Sequence, residues 1–219
     1  MIDNLISLTG SRMRAFELLY VMDGAKHVIR QGYPKAALPQ IQKFCDEQEL
    51  MIEHSPHKML VADTDLFSNK GLKVPLSHSE TGLHMVYISQ TPDAARLANM
   101  YEIQGKHREL GILLGYPPCC VDFFAEHQEE LSSKDYNFLG LVLYHSKEGD
   151  YSFHTNITQR EQDLSLLSHF PCNLACKQSH LLAQNHLQVI TKHDPKYAKA
   201  ISDALKGERK IDGKIFHFH

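Results

Sequence analysis

Four of the five cysteines in this 219-residue chain stand in two short proline-led stretches, LGYPPCCVDFF at Leu114–Phe124 and SHFPCNLACKQSH at Ser168–His180. The fifth, Cys45, stands alone. A fold that contains both stretches must either bury four sulfurs separately, as small hydrophobes, or bring two distant segments together so that the sulfurs act as a group.

Local chemistry favours the second arrangement. Proline at the first helical position loses nothing, because its missing N–H would be unpaired there anyway, so Pro118 and Pro171 predict two helix starts. The cysteines then fall in first turns, where unpaired N–H groups and the positive end of the helix dipole favour an anion such as thiolate. On the second helix, Cys172 and Cys176 share a face continued by Ala183, Leu187 and Ile190. On the first, Cys120 shares a face with Phe124, His127 and Leu131, and Cys119 lies at its edge beside Phe123.

Four converging thiolates suit zinc or an iron–sulfur cluster, since soft sulfur ligands select those centres. The spacing differs from the two-residue gap of a zinc ribbon. Adjacent cysteines diverge, and a three-residue gap on a helix separates sulfurs by roughly 6 Å, so the pattern favours a cluster over a single zinc ion. A dithiol–disulfide switch is the third reading, weakened by the same unusual spacing. The alternative without chemistry is that the thiols are core residues, a frequent fate of free cysteine.

Composition sets the frame for these readings. Lys plus Arg number 23 against 26 Asp plus Glu, so no net positive field exists to recruit nucleic acid or an anionic membrane. No apolar run reaches transmembrane length and the first residues lack an apolar signal segment, which points to the cytoplasm, where cysteines serve metal or redox chemistry more often than disulfides.

The periodicities predict an α+β single domain over residues 1–219, with a helical N-terminus and a small central mixed or antiparallel sheet. Helices carry the cysteine elements in the C-terminal half. A first helix spans 11–31, with Ser11 as N-cap and Gly32 as stop, and a second spans Pro39 to Leu50 with Ile41 and Phe44 facing inward. Short β-rich runs follow: HKMLVAD, LKVPLS with Pro75 at an edge, and LHMVYISQ, separated by Asn-Lys-Gly and Ser-Glu-Thr-Gly turns. Thr91 and Pro92 open a further helix and Lys106–Leu114 forms another, ending at Gly115. The apolar run 137–146 reads as a buried strand, YSFHTNI as another strand, and 173–193 and 195–206 as helices, before a hairpin turn at Asp212-Gly213.

Several histidines stand near the cysteines. His169 lies three residues before Cys172, His154 and Asn156 precede it, His180 follows Cys176, and His127 shares the Cys120 face. These could supply a non-sulfur ligand or a hydrogen bond to sulfur. Each is also one of fifteen histidines in the chain, so proximity by chance competes with a role. His54, His57 and the C-terminal His-Phe-His are expected to face solvent. Tyr116 and Phe170 stand just before prolines, where they pack in the core or cover the site. No phosphate-binding glycine loop, nucleophile elbow or His-Glu-x-x-His helix is present.

GYPPCCVDFF together with HFPCNLACKQS resembles the pattern of an uncharacterised prokaryotic family, domain of unknown function 483. The matching positions are Gly115, Tyr116, Pro117, Cys119, Cys120, Phe123 and Phe124, then His169, Phe170, Pro171, Cys172, Cys176 and Ser179. The resemblance covers the C-terminal half and implies that both elements belong to one site, without implying an activity.

The sequence therefore leads to a metal-dependent enzyme in which Cys119, Cys120, Cys172 and Cys176 hold an iron–sulfur cluster and act on a small molecule or modified nucleoside. Candidate catalytic groups are His154, Asn156, His169 and Tyr116, bordering a pocket over the two helix starts. The alternative is a binding module in which the same cysteines hold a structural zinc ion.

Overall fold

The computed structural model describes residues 1–61, 71–133 and 137–219. It is an α+β structure whose chain groups into two compact units, Ile2–Gly115 and Tyr116–His219. Asn69 and Lys70 of the expected Asn-Lys-Gly turn, and Ala62 and Asp63 at the end of HKMLVAD, lie outside the described residues.

The first unit begins with two helices, α1 (Ile2–Thr9) and α2 (Arg12–Met22). As the sequence predicts, Ser11 caps α2, its hydroxyl accepting from Arg14 N at 3.2 Å. The helix does not reach Gly32. It stops at Asp23, Gly24 follows with φ of 78°, and Val28–Tyr33 forms strand β1. The reason is tertiary: Val28 and Ile29 are buried, and Ile29 pairs with Ile88 of a central strand. Helix α3 (Leu38–Glu47) buries Ile41 and Cys45.

Strands β2 (Met51–Val61), β3 (Gly71–Pro75) and β4 (Leu83–Ser89) complete an antiparallel sheet of order β1-β4-β2-β3. Pro75 sits on the edge strand β3, where its missing N–H interrupts no second ladder. Met85 to Ser89 of β4 are buried without alternation, so both faces of the central strand are covered. Helix α4 (Pro92–Ile103) packs on this sheet, and α5 (His107–Leu113) follows.

The second unit carries the cysteine elements. Helices α6 (Pro118–Glu126) and α7 (Gln128–Ser133) are followed by α8 (Phe138–Tyr144), which occupies the run expected to be a strand. Asn137 explains the difference: its side chain accepts from Gly140 N at 2.8 Å and starts a leucine-rich helix. Strand β5 (Gly149–Tyr151) is short. The rest of the expected strand YSFHTNI is a turn of 3₁₀-helix at Phe153–Thr155.

An irregular segment then runs to α9 (Lys177–His193), which is followed by α10 (Pro195–Leu205). Helix α9 therefore starts later than the sequence suggests. The chain ends in the hairpin β6 (Gly207–Ile211) and β7 (Lys214–Phe218), with β5 added parallel to β7. Asp212 and Gly213 turn it with φ of 49° and 81°, the left-handed pair of a tight hairpin. Among the described residues no helix is long and apolar enough to cross a membrane.

Candidate metal centre

Cys119 and Cys120 occupy the first turn of α6, whose backbone is started by Pro117 and Pro118. The second element is built differently from the sequence reading. Pro171 opens no helix; Cys172 lies in the irregular segment and Cys176 is the N-cap of α9. The irregular segment is nonetheless fixed. Leu174 N donates to Ser146 Oγ at 2.9 Å, and Thr155 Oγ1 donates to Leu174 O at 2.7 Å. Asn173 Oδ1 accepts from Ala175 N at 2.9 Å, so the turn between the two cysteines is held at both polar ends.

Aromatic packing brings the two elements together. Phe138 stacks on Phe170 with centroids 5.4 Å apart, and Phe124 meets Phe138 at 5.3 Å and Phe170 at 6.5 Å. The Arg160 guanidinium lies 4.5 Å over the outer part of this cluster at Phe170, and donates to Leu167 O. Tyr116 of the first element packs on His169 of the second at 5.2 Å. Phe170 and Tyr116 are thus packing residues that set the distance between the two segments.

The result is a close group of sulfurs. The Sγ atoms of Cys119, Cys120, Cys172 and Cys176 all lie within 4.8 Å of one another and could hold a metal ion. Cys119 and Cys120 each stand 3.6 Å from Cys176, and 3.9 Å from each other. The adjacent cysteines do not diverge, contrary to the helical argument from sequence. Cys176, at the N-cap and outside the helix proper, reaches back to both.

Protons and hydrogen bonds divide the four unequally. The Cys176 thiol is held well below its ordinary range by hydrogen bonds from Cys120 and Cys172, with a further contribution from Ser179. Cys119 is raised by burial and by Cys176, and Cys120 is raised by its bonds to Cys172 and Cys176. Cys172 is drawn down by Cys120 but pushed up to about 12 by Cys176 and burial. Four thiolates this close repel one another, so full ionisation requires a cation among them.

Around the sulfurs stand polar donors. Cys172 N donates to Cys120 Sγ at 3.3 Å and Asn173 Nδ2 to Cys172 Sγ at 3.7 Å. The fully buried Ser179 hydroxyl lies 3.2 Å from Cys120 Sγ and 2.9 Å from His169 Nε2. His169 therefore meets the sulfurs through Ser179, and not by the ligation or direct hydrogen bond to sulfur that the sequence suggests.

The other polar candidates are engaged elsewhere. Asn156 is fully buried, its Nδ2 donating to Leu205 O at 2.6 Å and its Oδ1 accepting from Thr158. His154 bonds Ser152 Oγ at 2.8 Å and stacks on Phe153 at 4.1 Å, with His180 5.0 Å away. Burial, with the nearby His180 and Lys206 charges, lowers His154 to about 4. His127 Nδ1 faces Phe123 O at 2.7 Å, its ring against Phe123. His54 and His219 are exposed as expected, whereas His57 and His217 are half-buried.

A cleft of about 360 Å³ opens over one side of the sulfur group, lined by Cys119, Asp122, Phe123, Glu126, His145, Cys172 and Asn173. Cys119 is exposed there, whereas Cys120 and Cys176 are buried. The sequence reading missed the carboxylates and His145. Asp122 and Glu126 were legible, since they follow Cys119 by three and seven residues on a helix and so share its face. His145 and Asn173 depend on tertiary placement and carry no sequence signal. A scan against protein-family models, a search of curated proteins and a search of solved structures each returned no match to this chain.

Proposed function

We propose that the protein is a metal-dependent enzyme built around one tetrahedral ion, zinc in the first instance, held by Cys119, Cys120, Cys172 and Cys176. Its substrate is a small molecule admitted through the cleft. The observation that carries this reading is the set of sulfur separations. Four bonds of about 2.3 Å in a tetrahedron require sulfurs about 3.8 Å apart. The 3.6, 3.6 and 3.9 Å separations among Cys119, Cys120 and Cys176 match that edge, and Cys172 lies within 4.8 Å of all three. A cluster distributes its thiolates over several irons and needs them spread by its own width, so the cluster favoured by sequence spacing fits less well.

The cleft supports catalysis over a purely structural role. Four thiolates leave no open position on the ion, but two of the sulfurs line an open cavity with acidic and imidazole groups beside them, so a small molecule can reach the ligand sulfurs themselves. The resemblance to the domain of unknown function 483 family fits the same proposal, because both elements that carry it line this one site.

Metal analysis after purification without chelator tests the reading. One equivalent of zinc without labile sulfide is expected. Cobalt replacement should give intense thiolate-to-metal charge transfer with the visible bands of a tetrahedral ion. Iron with labile sulfide, or no metal under aerobic and anaerobic preparation alike, would overturn it.

A further inference from the structure

We propose that Cys119 is the reacting ligand of the centre: a metal-held thiolate, open to the cleft, that accepts an alkyl group from a small, positively charged electrophile. The inference rests on the metal reading above and adds the nucleophile, the reaction and the class of substrate.

The four sulfurs are not equivalent as nucleophiles. A sulfur that accepts hydrogen bonds has part of its lone-pair density engaged, and a buried one is out of reach. Cys120 is buried and takes Cys172 N at 3.3 Å and the Ser179 hydroxyl at 3.2 Å. Cys176 is buried, with the sulfurs of Cys119 and Cys120 each at 3.6 Å. Cys172 takes Asn173 Nδ2 at 3.7 Å. Cys119 is exposed, and among the described residues only cysteine sulfurs stand at bonding distance from it. Coordination keeps such a sulfur deprotonated at neutral pH while leaving a lone pair free to attack.

The cleft states what it attacks. Its lining holds two carboxylates, Asp122 and Glu126, and no lysine or arginine, and four thiolates around a divalent ion add further negative charge. An anionic electrophile is repelled and a cationic one is concentrated. Phe123 offers an aromatic surface of the kind that accepts an onium group. At about 360 Å³ the space admits a small organic molecule and not a macromolecular chain end with extensive contacts.

The step balances without an added oxidant. The Cys119 sulfur lone pair forms the new S–C bond, and the bond from that carbon to its leaving group breaks. The leaving group departs with that electron pair, neutral if it was an onium centre. Cys119 is left as a thioether, and no proton is moved.

The test uses full-length protein whose metal content is measured first. It is treated separately with 2-bromoethylammonium, iodoacetamide and iodoacetate, each rate divided by the rate with glutathione, and adducts are mapped by mass spectrometry. The first adduct is expected on Cys119, with normalised rates falling from cation to neutral to anion. The cation-to-anion ratio should drop about tenfold in Asp122→Asn/Glu126→Gln, and in unmodified protein at high salt, a comparison independent of whether the variant folds. Protein that holds no metal overturns this inference together with the metal reading. Metal-loaded protein alkylated first at Cys120, Cys172 or Cys176, or without the charge ranking, overturns this inference alone.

Discussion

The hydroxyl of Ser179 lies 3.2 Å from the sulfur of Cys120 and turns its other side to His169 Nε2 at 2.9 Å. It is not itself a ligand, yet it fixes the orientation of a buried sulfur and lends it a hydrogen bond. Ser179→Ala removes both without adding volume. Apparent metal affinity is expected to fall about tenfold, the lower range for loss of a hydrogen bond to a metal ligand. Competition with a chromophoric chelator reads this directly, and unchanged affinity would show that the contact is mere packing.

Metal binding should depend steeply on pH. Cys119, Cys120 and Cys172 hold their protons more tightly than an ordinary thiol, and Cys176 ionises first. A raised thiol is protonated in the free protein near neutrality, so each must release its proton when it binds. Acidification therefore opposes binding. With about three protons released, affinity should fall about a thousandfold per pH unit between pH 8 and 6. Calorimetry in buffers of different ionisation enthalpy counts the protons; release of one or fewer would mean that the sulfurs do not act together.

How far the sequence disclosed this site depends on the kind of signal. The first element was readable because Pro118 and the following turn act locally, and the structure places Cys119 and Cys120 in that turn. The second was misread in mechanism, because Pro171 looks the same before a helix and before an ordered loop. What holds that loop is Leu174 bonded to Ser146 and Thr155, partners remote in sequence. The run Phe138–Tyr144 has no period to betray a helix, and only the Asn137 cap would have indicated one. Local punctuation served well elsewhere: Ser11, Thr91-Pro92 and Asp212-Gly213 bound the elements they were expected to bound.

Cys45 should behave as an inert thiol. It is fully buried on α3, and burial, with Asp46 adjacent, pushes it up to about 12. In chelator-treated protein, Ellman's reagent is expected to titrate the exposed Cys119 and the half-buried Cys172 first in native buffer, and Cys45 only after denaturant is added. Five rapid equivalents in native buffer would contradict the described packing of α3.

The first unit offers a test of stability that does not involve the metal. Glu102 of α4 accepts from Arg30 Nε at 2.5 Å and Nη2 at 2.8 Å, and from the Tyr87 hydroxyl at 2.5 Å. Arg30 and Tyr87 are cross-strand partners on β1 and β4, so the sheet presents both donors to one carboxylate. Burial pushes Glu102 up, but the Arg30 bonds and charge, the Tyr87 hydroxyl and Lys73 together bring it to about 2, from 4.5. The folded value lies below the unfolded one. The contribution to stability is therefore complete above about pH 4.5 and is lost as pH falls toward 2. Arg30→Met leaves the carboxylate buried with one donor fewer on each oxygen. Because Arg30 is partly exposed, the cost should be about 2 kcal/mol at pH 7, less than for a fully buried pair. Denaturant unfolding of both proteins at pH 7 and pH 3 should show that deficit shrinking in acid. A deficit of equal size at both pH values would exclude the ion pair as its source.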